Sequence, residues 1–448
     1  MKISFRALFA SALLATASLT AQAQATTPAA APVATPDTAR VVLNPALLTP
    51  ISLQSFEAFR TAVQPLIRQM AGKKVVALGE GTHGTAEFYR VRFWLTRILV
   101  EDHGYTQVAL ENDYTDTYLL DEALRHPAAN VSQLMQRHLY GIWQNQETKE
   151  LLTWLQAHNR THRRQPLALR GIDGAYALPE AQQLATLAAR YPKAGLQPLA
   201  AQLLQAAGTQ DSVLAYINTK FKGYKFSRKR WLSTGLDGYY AAEKILAALP
   251  TARLPRSQRA LAEGYATDAM LALDVFYKFA VTKKDASRDS TMAEMTRFLV
   301  REPGAKVIIW AHNAHVSRKS ADPTDNNGGG TGSFIERLLP GQYFALGTTT
   351  ATGTYAATTD GRITRTSVFT SYPLDKPLAG SWEASLAGAS APNFFLLTNQ
   401  LGTQNLKRPH RLVGYMPDSG KDSYYDYKLS EAYDAVLFLR QTTAATPL

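Results

Sequence analysis

The sequence predicts an α/β fold with a mostly parallel sheet flanked by helices, and a large helical insertion between two of the strands. Two observations support this prediction. Short apolar runs rich in β-branched or aromatic residues alternate with amphipathic stretches of helical length, which is the pattern of strand–helix–strand units. Residues 179–300 interrupt the alternation, because they are rich in Ala, Leu and Gln, show helical spacing and offer no convincing strand.

The N-terminal segment has the pattern of a secretory signal peptide. Residues 1–25 contain the positive side chains Lys2 and Arg6, then the apolar run Leu8–Leu19, then the small-residue pattern Ala21-Gln22-Ala23. The alternative is a membrane anchor, but the run is shorter than the roughly 20 residues that a spanning helix needs. We therefore expect cleavage and export, with no stable membrane insertion after the signal is removed.

The rest of the chain is interpreted as a linker followed by one domain. Residues 26–40 are rich in Pro, Ala and Thr and are not expected to pack. Residues 41–448 form the domain, with the helical insertion at about 179–300. An exported protein without cysteine needs no oxidative folding, which suits a bacterial periplasm or the cell exterior. The expected location is therefore periplasmic or secreted.

Seven short apolar runs are predicted to be buried strands. They are Lys74–Leu78, Thr106–Leu110, Leu167–Leu169, Lys306–Trp310, Tyr343–Leu346, Asn393–Leu397 and Ala435–Leu439. Amphipathic stretches of helical length separate the earlier runs, and this favours parallel pairing of the strands.

Composition and missing motifs exclude several classes of chemistry. The chain has 448 residues, of which 46% are hydrophobic and none is cysteine, so a disulfide, a thiolate zinc site and a cysteine nucleophile are impossible. The net charge of +12 becomes +10 once Lys2 and Arg6 are removed with the signal peptide. The basic residues are dispersed along the chain, and this dispersal argues against nucleic acid as a partner. The absence of G-x-S-x-G and H-E-x-x-H argues against a typical serine hydrolase and the commonest zinc protease pattern.

Polar residues collect directly after four of the predicted strands. These segments are Gly79–Gly84, Glu111, Gly171–Gly174 and Ala311–His315. In an open parallel sheet the carboxyl ends of the strands meet at one crevice, which is the usual ligand site. We therefore expect carboxylates and histidines from four distant parts of the chain to meet there.

Glu80 and His83 lie three residues apart on a Gly-rich turn from strand to helix. Such a turn can bring both side chains to the edge of the sheet. A histidine near neutral pKa can take a proton from water, and a neighbouring carboxylate would orient its ring. The alternative interpretation is a capped helix start without a catalytic role.

Arg92 falls on an apolar stripe of the helix that follows His83. The stripe also contains Phe88, Leu95 and Leu99, at helical spacing. An inward-facing arginine needs a carboxylate or bound anion, and Glu80 and Glu111 are the obvious partners. The alternative is that Arg92 lies at the edge of the stripe and extends to water.

The remaining polar candidates leave more than one role open. His312 and His315 could bind a metal ion, act as acid and base, or cap a turn. Asp173 could orient a histidine or simply form a turn. Three other histidines, His126, His138 and His410, have no evident partners in the sequence.

An ordered set of these residues resembles the erythromycin esterase family. The set begins with Gly79-Glu80-x-Thr82-His83-Gly84, Arg92 and Glu111, and it ends with Trp310-Ala311-His312-Asn313-x-His315. Further matching segments are Arg288-Asp289-Ser290-Thr291-Met292-Ala293, Gly332-Ser333-Phe334, Tyr343-Phe344-Ala345-Leu346-Gly347 and Tyr433-Asp434-Ala435-Val436. The resemblance covers about residues 40–445.

The resemblance implies an α/β core with the helical insertion over the active cleft. It also implies hydrolysis of a macrolactone ester by histidine-activated water, without a cofactor or required metal, so the expected partner is a small-molecule ester or lactone. In this interpretation His83 is the general base and Glu80 its neighbour. The other implied active-site residues are Arg92, Glu111, His312 and His315. The substrate could also be an ester or lactone unrelated to macrolides.

Two other functions compete with this one. A metal-dependent hydrolase could use Glu80, His83, Glu111, His312 and His315 as zinc or manganese ligands. A non-catalytic exported protein could instead use the mature charge of +10 to bind an acidic glycan of the cell envelope. The sequence makes no prediction of the oligomeric state.

Overall fold

The computed structural model describes residues 41–174, 176–219, 227–283, 287–320 and 329–448. The predicted signal peptide, residues 1–25, and the predicted linker, residues 26–40, lie outside the described residues. Within the described ranges, no helix has the length and apolar character needed to cross a membrane.

Nine of the strands in the described part of the chain belong to one mixed, mostly parallel sheet. The strands are β1 Thr49–Pro50, β2 Val75–Leu78, β3 Gln107–Leu110, β4 Ala168–Gly171, β5 Val307–Trp310, β6 Tyr343–Ala357, β7 Thr370–Pro373, β8 Asn393–Leu397, β9 Arg408–Arg411, β10 Tyr424–Tyr427 and β11 Ala435–Thr442. The order across the sheet is β1-β8-β11-β6-β2-β5-β3-β4, and β7 pairs with β6. All neighbours from β11 to β4 are parallel, whereas β1, β7 and β8 pair antiparallel. A separate antiparallel ribbon consists of β9 and β10.

Helices cover both faces of the sheet. They are α1 Phe56–Ala62, α2 Gln64–Met70, α3 Ala86–His103, α4 Tyr114–Leu124, α5 Val131–His138, α6 Gln146–Thr161, α7 Leu178–Arg190, α8 Gln197–Thr219, α9 Arg228–Ala248, α10 Arg256–Tyr277, α11 Arg288–Leu299, α12 Asn313–Val316, α13 Thr331–Leu338, α14 Trp382–Leu386 and α15 Leu429–Ala432. Side-chain caps fix several starts: Asp113, for example, accepts a hydrogen bond from Asp116 N at the start of α4.

The central strands separate two apolar cores. In β2, Val75 and Ala77 belong to one core, while Val76 and Leu78 belong to the other. Successive side chains of a strand point to opposite faces, so a strand covered on both sides reads as a continuous apolar run. The first core includes α7–α11, and the second includes α1–α6. The prediction of a mostly parallel sheet flanked by helices is confirmed.

The predicted strands agree with the observed ones, with differences mainly at their ends. Each predicted run overlaps a strand, and the prediction for β8 is identical. The prediction of Tyr343–Leu346 for β6 is too short, because this strand continues to Ala357 through a threonine-rich stretch. The strands β1, β7, β9 and β10 were not predicted.

The helical insertion lies between β4, at one edge of the sheet, and β5, near its centre. In the described residues of this insertion, from Leu178 to Leu299, the chain forms α7–α11 and no strand. The N-terminus of α11 carries Arg288 and Asp289 to the carboxyl end of the sheet.

The order of the strands brings four polar segments together. Strands β2, β5, β3 and β4 are consecutive neighbours in the sheet and run parallel. The segments that follow them contain Glu80, His312, Glu111 and Asp173, respectively. These four segments therefore lie side by side at one edge, as expected for the crevice of a parallel sheet.

Candidate active site

The turn after β2 is held by close backbone packing. A Cβ atom on Gly79 would lie 2.2 Å from Asn313 Oδ1, so the side chain there must be absent. Gly84 has φ +71°, a conformation that residues with a side chain rarely adopt. Asn313 donates to Thr348 O at 2.7 Å and accepts from Thr348 N at 3.1 Å, which ties this turn to β6. The result is a rigid support for the side chains of Glu80 and His83.

Glu80 connects a histidine and an arginine. Its Oε1 atom lies 2.8 Å from His83 Nδ1, and its Oε2 atom accepts a hydrogen bond from Arg92 Nη2 at 2.9 Å. Glu80 and Arg92 are fully buried and His83 is 7% exposed. The carboxylate thus fixes the ring of His83 with Nδ1–H as donor. Nε2 of His83 has no hydrogen-bond partner among the described residues.

Arg92 is surrounded by aromatic rings. Its guanidinium carbon lies 4.6 Å from the ring centroid of Tyr89, 4.8 Å from that of Trp310 and 5.5 Å from that of Trp143. Its Nε and Nη1 atoms have no hydrogen-bond partner among the described residues. The rings therefore compensate part of the cost of burying this charge, and Glu80 supplies the opposite charge. The expectation of an inward-facing Arg92 is confirmed, with Glu80 as its partner.

His312 is held as a neutral ring by two backbone groups. Its Nδ1 atom accepts a hydrogen bond from Ala314 N at 3.2 Å, and its Nε2–H donates to Val413 O at 3.0 Å. Because a backbone N–H can only donate, Nδ1 carries no proton. Burial, and then the neighbouring His83, hold the pKa of His312 well below its usual range. The rings of His83 and His312 have centroids 4.7 Å apart, so His312 packs against His83 with both nitrogens already occupied.

Glu111 faces the opposite side of the crevice. Its Oε2 atom accepts a hydrogen bond from the backbone N–H of His312 at 2.9 Å, and its Oε1 atom accepts one from Arg288 Nη2 at 2.9 Å. Arg288 also donates to both oxygens of Asp173, at 2.8 and 2.7 Å. Burial alone would raise the pKa of Glu111, but the charges of His315 and Arg288 outweigh burial and hold that pKa well below its usual range. Glu111 is therefore a carboxylate at neutral pH.

His315 lies among three charged groups. Its Nδ1 atom is 2.7 Å from Asp289 Oδ1, while its Nε2 atom is 3.3 Å from Glu111 Oε1 and 2.9 Å from Arg288 Nη1. Burial and the Arg288 charge lower the pKa of His315, but the carboxylates of Glu111 and Asp289 outweigh them and raise it to about 10. Nδ1–H donates to Asp289, while Nε2 accepts from Arg288 when the ring is neutral and can donate to Glu111 once it is protonated.

The six side chains chosen from the sequence form one connected cluster. Glu80 contacts His83 and Arg92, His83 packs on His312, and Glu111 contacts the backbone of His312 and the ring of His315. Of the two candidate partners of Arg92, Glu80 forms the pair, while Glu111 is bound by Arg288.

The sequence interpretation overlooked two charged residues of this cluster, Arg288 and Asp289, which lay in a matching segment but were assigned no role. The available signal was an Arg-Asp pair at the start of a helix. Asp173 was a candidate that could orient a histidine or form a turn, and in the structure it binds Arg288.

Two histidines without evident partners in the sequence have carboxylate partners in the fold. His138 Nδ1 lies 3.1 Å from Asp116 Oδ1, and His410 Nδ1 lies 2.7 Å from Glu383 Oε1 in the interior. The sequence did not indicate these pairs because each carboxylate lies on another element of the chain. Among the described residues, neither histidine has a hydrogen bond or ion pair with a side chain of the six-residue cluster.

The donor set of the crevice suits ion pairing better than metal binding. Within the described ranges, no group of three or more His, Asp or Glu residues is arranged to hold a metal ion. Glu80 is engaged by Arg92 and Glu111 by Arg288, and both ring nitrogens of His312 are taken by the backbone. Carboxylates and imidazoles that ligate a metal must instead direct free lone pairs at a common point.

Sequence relatives agree on one family. The sequence model of the erythromycin esterase family matches residues 100–442, a range that starts after Glu80, His83 and Arg92. A protein named putative hydrolase YbfO, from Bacillus subtilis strain 168, is 24% identical over 406 residues, or 84% of this chain and 86% of that protein. Erythromycin esterase type II from Escherichia coli is 22% identical over 411 residues, or 85% of this chain and 93% of that protein.

Solved structures share the fold. A succinoglycan biosynthesis protein superposes with a TM-score of 0.70 at 18% identity, covering 90% of this chain and 96% of that one. The erythromycin esterase EreC in an open conformation superposes with a TM-score of 0.66 at 19% identity, covering 90% of this chain and 98% of that one. The family match over most of the chain and the shared fold agree with each other. The protein belongs to the erythromycin esterase family.

Proposed function

We propose that the protein hydrolyses a carboxylic ester or lactone with a water molecule that His83 activates. The single observation that carries the proposal is the Glu80–His83 pair, in which Nδ1 is engaged at 2.8 Å and Nε2 has no partner among the described residues. A histidine oriented in this way can accept a proton through Nε2 while Glu80 stabilises the imidazolium that forms. Family membership supports the reaction class.

The first step is attack of water on the substrate carbonyl. Nε2 of His83 takes a proton from water as the water oxygen bonds to the carbonyl carbon, which gives a tetrahedral oxyanion and protonated His83. Arg92 supports this step indirectly, because its hydrogen bond at 2.9 Å keeps Glu80 in position. His312 packs against the ring of His83 at 4.7 Å and limits its rotation.

In the second step the tetrahedral intermediate collapses. The carbon–oxygen bond to the leaving alcohol breaks, Nε2–H of His83 gives its proton to the leaving oxygen, and the products are a carboxylic acid and an alcohol. The oxyanion needs positive donors that are present before the reaction. The side chain of Arg288 is partly exposed in this crevice and binds Asp173 and Glu111 through Nε and Nη2, so we assign that role to the Nη1–H group that does not face His315.

A hydrolysis screen tests the proposal. The substrates are 4-nitrophenyl butyrate, a simple lactone and a macrolide, and the proteins are wild type, His83→Ala and His138→Ala. His138 is a matched control, since it is also 7% exposed and also places Nδ1 against a carboxylate, at 3.1 Å. We expect His83→Ala to lower kcat/KM by about 10²–10⁴-fold, as for loss of a general base, and His138→Ala to retain activity.

Two results would contradict the proposal. If wild type turns over none of the esters or lactones, the proposed reaction is wrong. If a chelator abolishes turnover and zinc or manganese restores it, the metal-dependent alternative replaces histidine-activated water. The macrolide arm decides separately whether the substrate is a macrolactone or another ester.

We also propose that the protein is exported to the periplasm or the medium. The support is the order of Lys2 and Arg6, the run Leu8–Leu19 and the small-residue pattern Ala21-Gln22-Ala23, with Ala23-Gln24-Ala25 as a second candidate cleavage site. Expression of the full chain in a Gram-negative host, followed by fractionation and N-terminal sequencing, tests this. We expect a mature protein starting at Gln24 or Thr26, and a cytoplasmic chain that retains residues 1–25 would contradict it.

A further inference from the structure

The loop between β6 and β7 forms an arch at the mouth of the crevice. We define the arch as residues 358–367. On one side the hydroxyl of Tyr415 donates to the carbonyl of Gly361 at 3.1 Å. On the other side the backbone N–H of Gly141 donates to the carbonyl of Thr364 at 2.8 Å. These two contacts fix the arch on either side of Arg362 and Ile363.

Both fixed points adjoin the candidate active site. Tyr415 lies two residues after Val413, whose carbonyl accepts the backbone N–H of His83 at 3.3 Å. The second point lies two residues before Trp143, whose indole N–H donates to the backbone carbonyl of Glu111 at 3.1 Å. The arch thus connects the His83 side of the crevice to the Glu111 side.

Arg362 is a half-buried cation with an aromatic partner but no polar one. Its guanidinium carbon lies 4.2 Å from the ring centroid of Tyr176, and it forms no hydrogen bond or ion pair with the residues that the structure describes. Tyr176 lies three residues after Asp173, the carboxylate that binds Arg288. Arg362 therefore reaches from the arch to the opposite wall of the crevice.

Arg362 has no carboxylate in direct contact among the described residues, unlike Arg288. Burial raises the pKa of Tyr415, the charges of Arg288 and Arg362 oppose that rise, and the charge of Asp360 adds to it, so both cations and this carboxylate lie near the hydroxyl. Arg288 is neutralised by Asp173 and Glu111. A guanidinium with free N–H donors matches the two oxygens of a carboxylate, and a single positive charge suits a monoanion better than a dianionic phosphate.

We propose that Arg362 determines substrate specificity by binding a carboxylate of the substrate at the mouth of the crevice. The preferred substrate is then an ester or lactone that carries a free carboxylate, such as a half-ester of a dicarboxylic acid. This inference rests on the proposed hydrolysis at His83. The resemblance to macrolide esterases predicts no cation where the substrate enters, whereas this inference places Arg362 there.

A pair of matched esters tests the inference. Mono-4-nitrophenyl glutarate carries the carboxylate, and 4-nitrophenyl 5-methylhexanoate replaces it with an isopropyl group of similar shape. We expect wild type to prefer the glutarate ester by about tenfold or more in kcat/KM, the size of effect that a charge-assisted hydrogen bond gives. Arg362→Gln should remove this preference by raising KM for the glutarate ester, so that the two esters have similar kcat/KM values.

Arg365→Gln is the matched control, because Arg365 lies on the same arch but pairs with Asp116 at 3.0 Å. It removes the same charge from the surface and should preserve the preference. The inference is overturned if both variants lose the preference equally, since bulk charge then explains it. It is also overturned if Arg362→Gln accelerates hydrolysis of both esters. In that case the contact between Arg362 and Tyr176 only obstructs the entry of substrates.

Binding of glutarate, measured by isothermal titration calorimetry, separates this inference from the proposed reaction. Should wild type hydrolyse neither ester, the proposed reaction fails, but the calorimetry still decides the role of Arg362. Glutarate binding by wild type and by Arg365→Gln, weakened about tenfold or more in Arg362→Gln, supports the inference. Absent binding in wild type, or equal binding in all three proteins, overturns it.

Discussion

Arg92 determines the electrostatics around Glu80. Both side chains are fully buried, and their hydrogen bond of 2.9 Å joins two charges that have lost their water. The aromatic rings of Tyr89, Trp310 and Trp143 give the guanidinium a favourable but apolar surrounding. Removal of either charge alone therefore leaves the other one buried and uncompensated, which costs more than removal of both.

A double-mutant cycle tests this dependence. We expect Arg92→Met to destabilise the protein by about 3–5 kcal/mol in chemical denaturation, the usual cost of breaking a buried pair. Arg92→Met combined with Glu80→Gln should recover much of this loss, because no bare charge remains. Both variants should lose hydrolytic activity, because Arg92→Met leaves Glu80 without the contact that positions it, and the double variant also removes the carboxylate beside His83. Additive effects of the two substitutions would show that the pair is not coupled.

The sequence predicted the position of Arg92 but only part of its surroundings. Helical spacing alone placed an arginine in an apolar stripe with Phe88, Leu95 and Leu99, and physical cost then required a carboxylate. The choice between Glu80 and Glu111 depended on Arg288, which begins a helix more than a hundred residues further along. No local pattern encodes such a competition between distant partners, and the same holds for Glu383 beside His410.

His315 should make the stability of the protein sensitive to alkaline pH. Its folded-state pKa of about 10 lies above the usual value of 6.5, despite the opposing effects of burial and Arg288. Its contribution to stability is therefore fully present below pH 6.5 and is lost progressively as the pH rises towards 10. In chemical denaturation across pH 5.5–10.5, the difference between wild type and His315→Asn should shrink over this window.

His312 provides the control for that measurement. Burial and His83 lower its pKa, so its ring is neutral in the folded protein and protonated more readily in the unfolded chain. The contribution of His312 to stability should therefore be fully present above pH 6.5 and be lost as the pH decreases below 6.5. The difference in unfolding free energy between wild type and His312→Asn should change only in this acidic range. An alkaline window for His312, or a pH-independent effect of His315→Asn, would contradict the assigned protonation states.

At the scale of single elements, the turn from β2 to α3 is the most constrained part of the site. A Cβ on Gly79 would meet Asn313 Oδ1 at 2.2 Å and Leu346 O at 2.9 Å. Both neighbours are fixed, because Asn313 is hydrogen-bonded to Thr348 and Leu346 O accepts Gly79 N at 2.8 Å. A side chain at this position must therefore displace the turn that carries Glu80 and His83.

Gly79→Ala should accordingly reduce both stability and activity. We expect a loss of about 1–3 kcal/mol in unfolding free energy, typical of overpacking, and a larger relative loss of hydrolytic activity, because His83 moves. Gly72→Ala is the control, since a Cβ there meets nothing within 4 Å. Differential scanning calorimetry and ester hydrolysis measure both effects. Unchanged activity in Gly79→Ala would mean that the position of this turn does not matter for catalysis.

The predictability of an element depended on how it is buried. Strands such as β2 and β5, covered on both faces, appear in the sequence as continuous apolar runs and were predicted within one residue. The part of β6 after Leu346, which was not predicted, is rich in threonine, and its hydroxyls bond to distant groups, as Thr349 does to Glu383 at 2.9 Å. Strand β9 has the sequence Arg-Pro-His-Arg and is stabilised by tertiary contacts, so its composition does not indicate a strand.

At the scale of the whole molecule, three buried acids lie where the helical insertion meets the α/β core. Asp113 begins α4, Glu180 lies in α7 and Asp268 lies in α10, and all three are buried. Both carboxyl oxygens of Asp268 lack a hydrogen-bond partner among the described residues. Burial, and then repulsion within the group, raise the pKa of each of the three well above its usual range. At this contact the three acids are therefore protonated, whereas Arg288 at the start of α11 joins the insertion to the core by ion pairs with Glu111 and Asp173.

The contact through the three acids should weaken as the pH rises. An acid whose folded-state pKa is raised contributes stability below its unfolded value of 3.8, and that stability is lost as the pH rises towards the folded-state pKa. Asp268→Asn keeps the shape but cannot ionise, so it should be more stable than wild type by about 1 kcal/mol or more at pH 8, with little difference near pH 4. Asp274→Asn is the control on the same helix, because Asp274 pairs with Lys278 and its neutralisation should give no gain. Chemical denaturation at the two pH values measures the effect. A loss of stability in Asp268→Asn at pH 8 would show that the carboxylate, rather than the protonated acid, holds the insertion to the core.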